Sequence, residues 1–473
     1  MRRSVKNVMH LVQLTPFPDE SDILVVDAAV ARSVELTPGQ QLILRAGLLE
    51  TPATVSIKNQ EPATQNYIAA GLLNKLLLPA DHKIILRLVK NEPVANIGPV
   101  IGILVSRNKR LKRPPFSNQK QLLRRFIYAG KKLGAVVFAF NPDGIDEKNL
   151  RIEGYYPGTN DAAKITWQKS YFPFPDVVHN RVLSRTTEQT PAIRQALKIT
   201  GAYGIKCFNP KFLNKWETHN ILYKNPPLRK YLPETVKYQS GEQLYHFLKK
   251  YPLVYLKPWH GSLGKDIQRI SKDHGRYCYV YRQSKRTVSS EWNSPADMIE
   301  AVGSFVGKRS YLIQQGLNFI SYFGQVFDIR VMIQKNLTGS WEVSAIVARI
   351  GKEGSPFPNI AAGGEAQSIE EVWRELFNRD WAADPVREKI TDLAEKVAIT
   401  LDRELGNFGE LGLDVGIDAK GRPWLIEVNS KPSRKVFPKM DKILKARSIR
   451  LPMEYAVYWA GFAKEQQSRE PQQ

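Results

Sequence analysis

The chain has 473 residues, of which 42% are apolar and 24% charged, and it carries a net charge of +23. Its length exceeds one ordinary core, so roughly two to four domains are expected. The composition is that of a globular chain, and no apolar run approaches the length needed to span a bilayer. The charge favours polyanionic partners: nucleotide phosphates, nucleic acid, anionic polymers or acidic protein surfaces.

Met1-Arg2-Arg3-Ser4 is basic, but Lys6, His10 and Gln13 interrupt the apolar residues next to it, so no signal peptide is expected. Cys207 and Cys278 lack zinc-site spacing. They point to a reducing compartment and a cytoplasmic protein.

Residues 1–95 hold short β-like runs, among them Asp22–Val26, Gln41–Leu44 and Lys83–Leu88, separated by turn signals such as Thr37-Pro38-Gly39. A small β-rich domain is the expectation. Residues 96–205 change texture. Val100–Val105 reads as a strand, Ser117 as the cap of a helix carrying Leu122, Leu123, Phe126 and Ile127, Gly134 as its stop, and Ala135–Phe140 as a second strand. Strand, helix, strand implies parallel pairing in an α/β layer domain, extended by Pro175–Val178 and a helix from Pro191 towards Gly201. Residues 206–462 form the third unit, with a helix near its end whose stripe is Ile390, Leu393, Ala394, Val397, Ala398 and Leu401. Residues 463–473 are a polar tail.

Two basic clusters stand out. Arg107, Lys109, Arg110, Lys112, Arg113, Lys120, Arg124, Arg125, Lys131 and Lys132 lie in a stretch without acids, read as a solvated face. Lys431, Arg434, Lys435, Lys439, Lys442, Lys445, Arg447 and Arg450 come after a hairpin over residues 413–429, where phosphate or an acidic substrate would meet them.

The chemistry concentrates in the third unit. Val254 to Lys265 begins as a strand and ends as a loop, where Gly261 and Gly264 allow backbone N–H groups near an anion and Ser262 adds a hydroxyl. Lys257 would supply positive charge. The loop lacks the spacing of a Walker motif, and a plain β-turn is its simpler reading. In Phe327–Gln334, Asp328 and Arg330 share a face, which by itself suggests a salt bridge.

Leu413–Asn429 reads as a hairpin with a four-residue loop, Ala419 to Arg422, which sets Asp414 opposite Glu427. Alternation then puts Glu427 and Asn429 on one face and Trp424, Ile426 and Val428 on the other. Two carboxylates and an amide oxygen make an all-oxygen set suited to Mg²⁺; a surface hairpin with scattered acids is the plain alternative.

From Lys215 onward this ordered set resembles an ATP-grasp carboxylate–amine ligase, nearest in motif spacing to the ribosomal-protein glutamate ligases. Over residues 97–462 the chain is similar to the YheC/YheD proteins, known as endospore coat-associated proteins. Tyr255-Leu256-Lys257-Pro258-Trp259, Phe327-Asp328-Ile329-Arg330-Val331 and Glu427-Val428-Asn429-Ser430-Lys431-Pro432 carry that likeness. It implies an α/β (α+β) chain: the β-rich N-terminal domain, a Rossmann-like pre-ATP-grasp domain, then a two-lobed ATP-grasp domain.

The resemblance also implies roles. Lys215 and Lys257 would be nucleotide-binding lysines, and Gly261, Ser262 and Gly264 the loop over the phosphates. Gln314, Gln315, Gly316 and Leu317 would form the adenine-holding strand, with Asp328 and Arg330 on the Asp-x-Arg strand. Arg349, Asn359 and Gly363-Gly364 would face the transferred phosphate, with Arg349, and Arg330 beside it, stabilising charge. Asp414, Glu427 and Asn429 would hold Mg²⁺ or Mn²⁺. Three positions depart from the family pattern: Asp266 where a glycine or small residue is usual, Gly316 where an aromatic is common, and Lys431 where a small residue is usual.

The implied activity is ATP- and Mg²⁺-dependent carboxylate–amine ligation on a small-molecule or peptide substrate, with basicity favouring an acidic one. A non-catalytic nucleotide-binding scaffold is the alternative, and spore-coat association with spore-coat protein partners is implied for either. Nucleic acid is the least favoured partner, since no recognition motif or aromatic stacking platform accompanies the charge.

Overall fold

The computed structural model describes residues 9–58, 65–107, 116, 119–159, 165–261, 266–283, 286–353, 364–437 and 441–463. The chain divides into two compact units. One comprises residues 1–211, 335–340 and 449–473, the other 212–334 and 341–448.

In the first unit, seven strands between Met9 and Gly98 close into a barrel. The expected runs form the strands Ile23–Asp27, Gln41–Ala46 and Ile84–Val89. Alternation is visible in the last of these: Ile84, Leu86 and Leu88 are buried, and the residues between them are not. Next in the chain is a six-stranded sheet. Val136–Asp146, Val100–Leu104, Val177–Asn180 and Lys206–Phe208 pair in parallel, and Arg151–Thr159 and Ile165–Pro173 extend the sheet antiparallel. Val100–Leu104 is buried throughout, as a strand covered on both faces must be.

The helix Lys120–Lys132 buries Leu123, Phe126 and Ile127, and Gly134 leaves it with φ +74°. Ser117, its expected cap, lies outside the described residues, and Gln119 holds the N-cap position. Barrel and sheet share one core, in which Leu24, Leu44 and Leu86 join Phe138, Phe172 and Phe174.

The second unit contains two antiparallel sheets. The first runs Thr235–Lys237, Tyr311–Gln315, Leu253–Pro258, Gln268–Asp273, Arg276–Gln283, Arg286–Trp292. The helices Gly241–Lys250 and Pro295–Val306 cover one face, where Leu244, Met298 and Val302 pack on Val254, Leu256 and Ile270. By alternation, Tyr255, Lys257 and Arg269 lie on the other.

The second sheet runs Glu365–Ser368, Trp341–Ile350, Gln325–Lys335, Glu410–Ile417, Pro423–Asn429. The helix Pro385–Leu405 covers it, burying all six residues of the expected stripe. Asp384 caps that helix, accepting from Val386 N at 2.9 Å, and Pro385 opens it. Among the described residues no helix is long and apolar enough to cross a membrane.

Candidate functional site

The hairpin Glu410–Asn429 sets Asp414 opposite Glu427, and Gly412 opposite Asn429. It reaches that register by a different route from the expected one. The turn has three residues, Ala419 to Gly421. Asp418 N donates to Arg422 O at 3.1 Å, Gly421 N donates to Asp418 O at 2.9 Å, and Gly421 takes φ +70°. This is a type I turn closed by a left-handed residue. The register it starts would put Asp414 out of step with Glu427. A bulge at Ile426, between the pairs Val415–Leu425 and Asp414–Glu427, restores it.

The bulge also changes the faces. Leu425 and Val428 enter the core. Trp424 and Ile426, expected opposite Glu427 and Asn429, instead border the same cavity as those two.

That cavity, about 650 Å³, is lined by both sheets of the second unit. Lys215, Lys257, Gln314, Gln315, Leu317, Asp328, Arg330, Arg349, Asp414, Glu427 and Asn429 border it. Gly261 joins them through its carbonyl, which accepts from Lys215 Nζ at 2.6 Å. Gly316 N donates to Leu253 O at 2.8 Å, and a Cβ there would lie 2.2 Å from Leu253 Cγ, so no side chain fits where an aromatic is common. Ser262, Gly264, Asn359 and Gly363 lie outside the described residues.

Lys215 opens the helix Lys215–Lys224, whose cap Asn214 accepts from Trp216 N at 2.9 Å and Glu217 N at 3.2 Å. Besides Gly261, Lys215 Nζ meets Glu427 Oε1 at 3.1 Å. Lys257 is buried and donates to Gln314 Oε1 at 2.5 Å. Burial pulls its pKa down to about 8, with Glu427 opposing that fall and Lys215 adding to it.

Glu427, Asp414 and Arg330 form a row across three adjacent strands. Arg330 Nε donates to Asp414 Oδ1 at 2.5 Å, and Arg349 Nη2 lies 3.0 Å from Asp414 Oδ2. Arg349 also grips Asp328 with two donors, Nε at 2.6 Å and Nη2. Burial works against the charge on Asp414, but Arg330 and Arg349 overcome it and hold the carboxyl below its ordinary range. Burial dominates at Asp328 and raises it, with Arg349 opposing.

Asp414, Glu427 and Asn429 all border the cavity and offer hard oxygens of the kind that suit Mg²⁺ together with water and substrate phosphates. Among the described residues no group of three His, Cys, Asp or Glu side chains gathers to hold a metal by itself. Two acids and one amide therefore suit an ion that arrives with oxygens of its own.

Arg269, paired with Tyr255 in the first sheet, borders the cavity and escaped the sequence reading, as did Phe319. Phe319 lies against Gly416, where an added Cβ would stand 2.5 Å from its ring. Only strand register reveals either contact. Asp266 has φ +58°, the backbone state for which the glycine usual at that position is suited. Two members of the second basic cluster are turned inward. Lys431 is buried with Nζ 4.7 Å from the Phe212 ring centroid, and Arg434 is buried with Nη1 3.1 Å from Glu410 Oε1. Neither is among the residues that border the cavity, where the phosphate or acidic substrate expected of this cluster would lie.

Two antiparallel sheets lining a cavity, with Lys257 from the first sheet, Lys215 from a helix packed on the second, and an acidic hairpin in that second sheet, fit the ATP-grasp class. The model of the YheC/D-like ATP-grasp family matches residues 204–459, and the chain belongs to that family. Endospore coat-associated protein YheD of Bacillus subtilis is 28% identical over 399 residues, covering 83% of this chain and 85% of that one. YheC of the same organism is 23% identical over 328 residues, covering 69% and 89%. Among solved structures, D-alanyl-alanine synthetase A of Vibrio cholerae aligns at 13% identity and a TM-score of 0.43, over 77% of this chain and 98% of the other.

Proposed function

We propose that the chain is an ATP- and Mg²⁺-dependent carboxylate–amine ligase. The observation carrying this reading is the pairing of Asp414 with Glu427 on a cavity that Lys215 and Lys257 also border. A substrate carboxylate oxygen would attack the γ-phosphorus, breaking its bond to the β–γ bridging oxygen and releasing ADP. The amine nitrogen would then attack the acyl carbon, phosphate would leave, and the amine proton would pass to solvent. Such transfer depends on positioning and charge neutralisation more than on a protein nucleophile.

Lys215 and Lys257 would orient phosphate oxygens. Arg349, oriented by Asp328, and Arg330 would meet the charge that develops during transfer. Mg²⁺, held by Asp414, Glu427 and Asn429, would supply charge neutralisation at the β- and γ-phosphates. Gln314 to Leu317 would carry the adenine. Residues 1–95 and 96–205 are proposed as the β-rich and pre-ATP-grasp modules ahead of the ligase module at 206–462, with 463–473 as the tail. The net charge of +23 supports an acidic small-molecule or peptide carboxylate as substrate.

The test is ADP release in a mixed panel of carboxylates and amines, with new amides read by mass spectrometry. Turnover requires both acceptors and falls at least ~100-fold in Glu427→Ala. If Glu427→Ala leaves turnover and Mg·ATP binding unchanged, the site is wrongly assigned. The names of the curated relatives favour a second reading, a nucleotide-binding scaffold associated with the endospore coat. ATP binding without acceptor-dependent turnover across the panel would select it.

A further inference from the structure

The two carboxylates proposed for the metal are already held by cations of the same chain. Arg330 and Arg349 take one oxygen each of Asp414, at 2.5 and 3.0 Å, and Lys215 stands 3.1 Å from Glu427. Asp328 also holds Arg349, through Nε and through the same Nη2 that reaches Asp414. Two arginines and two aspartates thus balance one another in a box of which Asp328, Arg330 and Asp414 are buried. A divalent ion approaching alone finds its carboxylates neutralised. Taking Asp414 would also strand a guanidinium away from water, which is costly. A polyphosphate meets the opposite situation, because guanidinium and ammonium groups are strong phosphate donors. Each donor that turns from carboxylate to phosphate leaves a carboxylate oxygen open.

We propose that the metal site is latent, opened when a polyphosphate draws Lys215, Arg330 and Arg349 away from Glu427 and Asp414. This rests on the proposed nucleotide site and adds an order to it: free metal does not enter first. The coupling is carried by named ion pairs, and by linkage it acts equally in both directions.

The consequence is an inversion of sign at Glu427. Glu427→Gln removes a metal ligand and also the partner that competes with phosphate for Lys215. In EDTA, without divalent ion, calorimetric titration should show ATP binding the variant about fivefold or more tightly than wild type. In Mg²⁺ it should bind more weakly. A thermal melt establishes that the variant is folded, and Glu427 is partly exposed, so an isosteric amide is tolerable there. Equal or weaker ATP binding by folded Glu427→Gln in EDTA overturns the proposal.

A second arm needs no nucleotide. Mn²⁺ titration read by electron paramagnetic resonance should find weak binding to wild type and binding about tenfold tighter to Lys215→Met. The gain should vanish when Glu427→Gln is added, which separates it from adventitious surface ions. Arg330→Met tests the Asp414 side in the same assay. If wild type binds no ATP in either buffer, the nucleotide reading fails, and the Mn²⁺ arm decides the latent pair by itself: gain supports it, no gain overturns it.

Discussion

Lys257 is buried yet carries a charge the proposed function needs. Burial brings its pKa to about 8, so the proton is lost more than two units earlier than from an exposed lysine. Below pH 8 the ammonium is present and can meet phosphate; as pH rises through 8 it is lost, and nucleotide affinity falls with it. If only the protonated form binds well, the dissociation constant climbs towards tenfold per pH unit above the pKa. A fluorescent ATP analogue titrated from about pH 7 to 9.5 should show that slope. Lys257→Arg should flatten it, because guanidinium keeps its proton throughout. A wild-type profile level across that range would mean that Lys257 does not bear on the phosphates. For folding, burying the charged form is a cost: between pH 8 and the ordinary lysine range the unfolded chain binds more protons, so that cost is relieved as pH rises.

At the scale of elements, the hairpin depends on what crosses it. The Phe319 ring fills the space over Gly416, and Phe319 bridges to Asp418 at the turn. Gly416→Ala should therefore cost about 1–3 kcal/mol by overpacking, read from urea unfolding. Combining it with Phe319→Leu should recover part of that loss, since residues in contact do not act additively; a strictly additive double variant would place the cost elsewhere. The same hairpin marks where sequence reading succeeds and where it stops. Alternation and a glycine-bearing turn are local, so they mark two strands; the expected meeting of Asp414 with Glu427 holds only because a turn one residue shorter and the bulge at Ile426 offset each other. An inserted bulge residue has no compositional mark, so alternation alone makes Ile426 an ordinary strand position and puts Trp424 on the face opposite Glu427. The contacts of Asp414 with Arg330 and Arg349 join residues far apart in the chain, and no local period encodes them. Arg330 and Asp414 were legible as site residues, but not as each other's partner.

For the whole molecule, the order of elements was readable because each strand and helix carries its own period and stop signals. Closure of the first seven strands into a barrel was not, because closure is decided by which edges pair and leaves little trace in any one strand. The division into two compact units bears on where a ligand acts. Every residue bordering the cavity belongs to the second unit, and the barrel to the first. Binding stabilises what the ligand touches by an amount set by its concentration relative to the dissociation constant, about 2.7 kcal/mol at a hundredfold excess. Hydrogen exchange resolves such gains segment by segment. With Mg·ADP at saturation, protection should rise in Tyr311–Gln315, Gln325–Lys335, Glu410–Ile417 and Pro423–Asn429, and stay level in the barrel strands Gln41–Ala46 and Ile84–Val89. Protection of equal size in the barrel would show that nucleotide energy spreads through the whole chain, and would give residues 1–95 a share in the site.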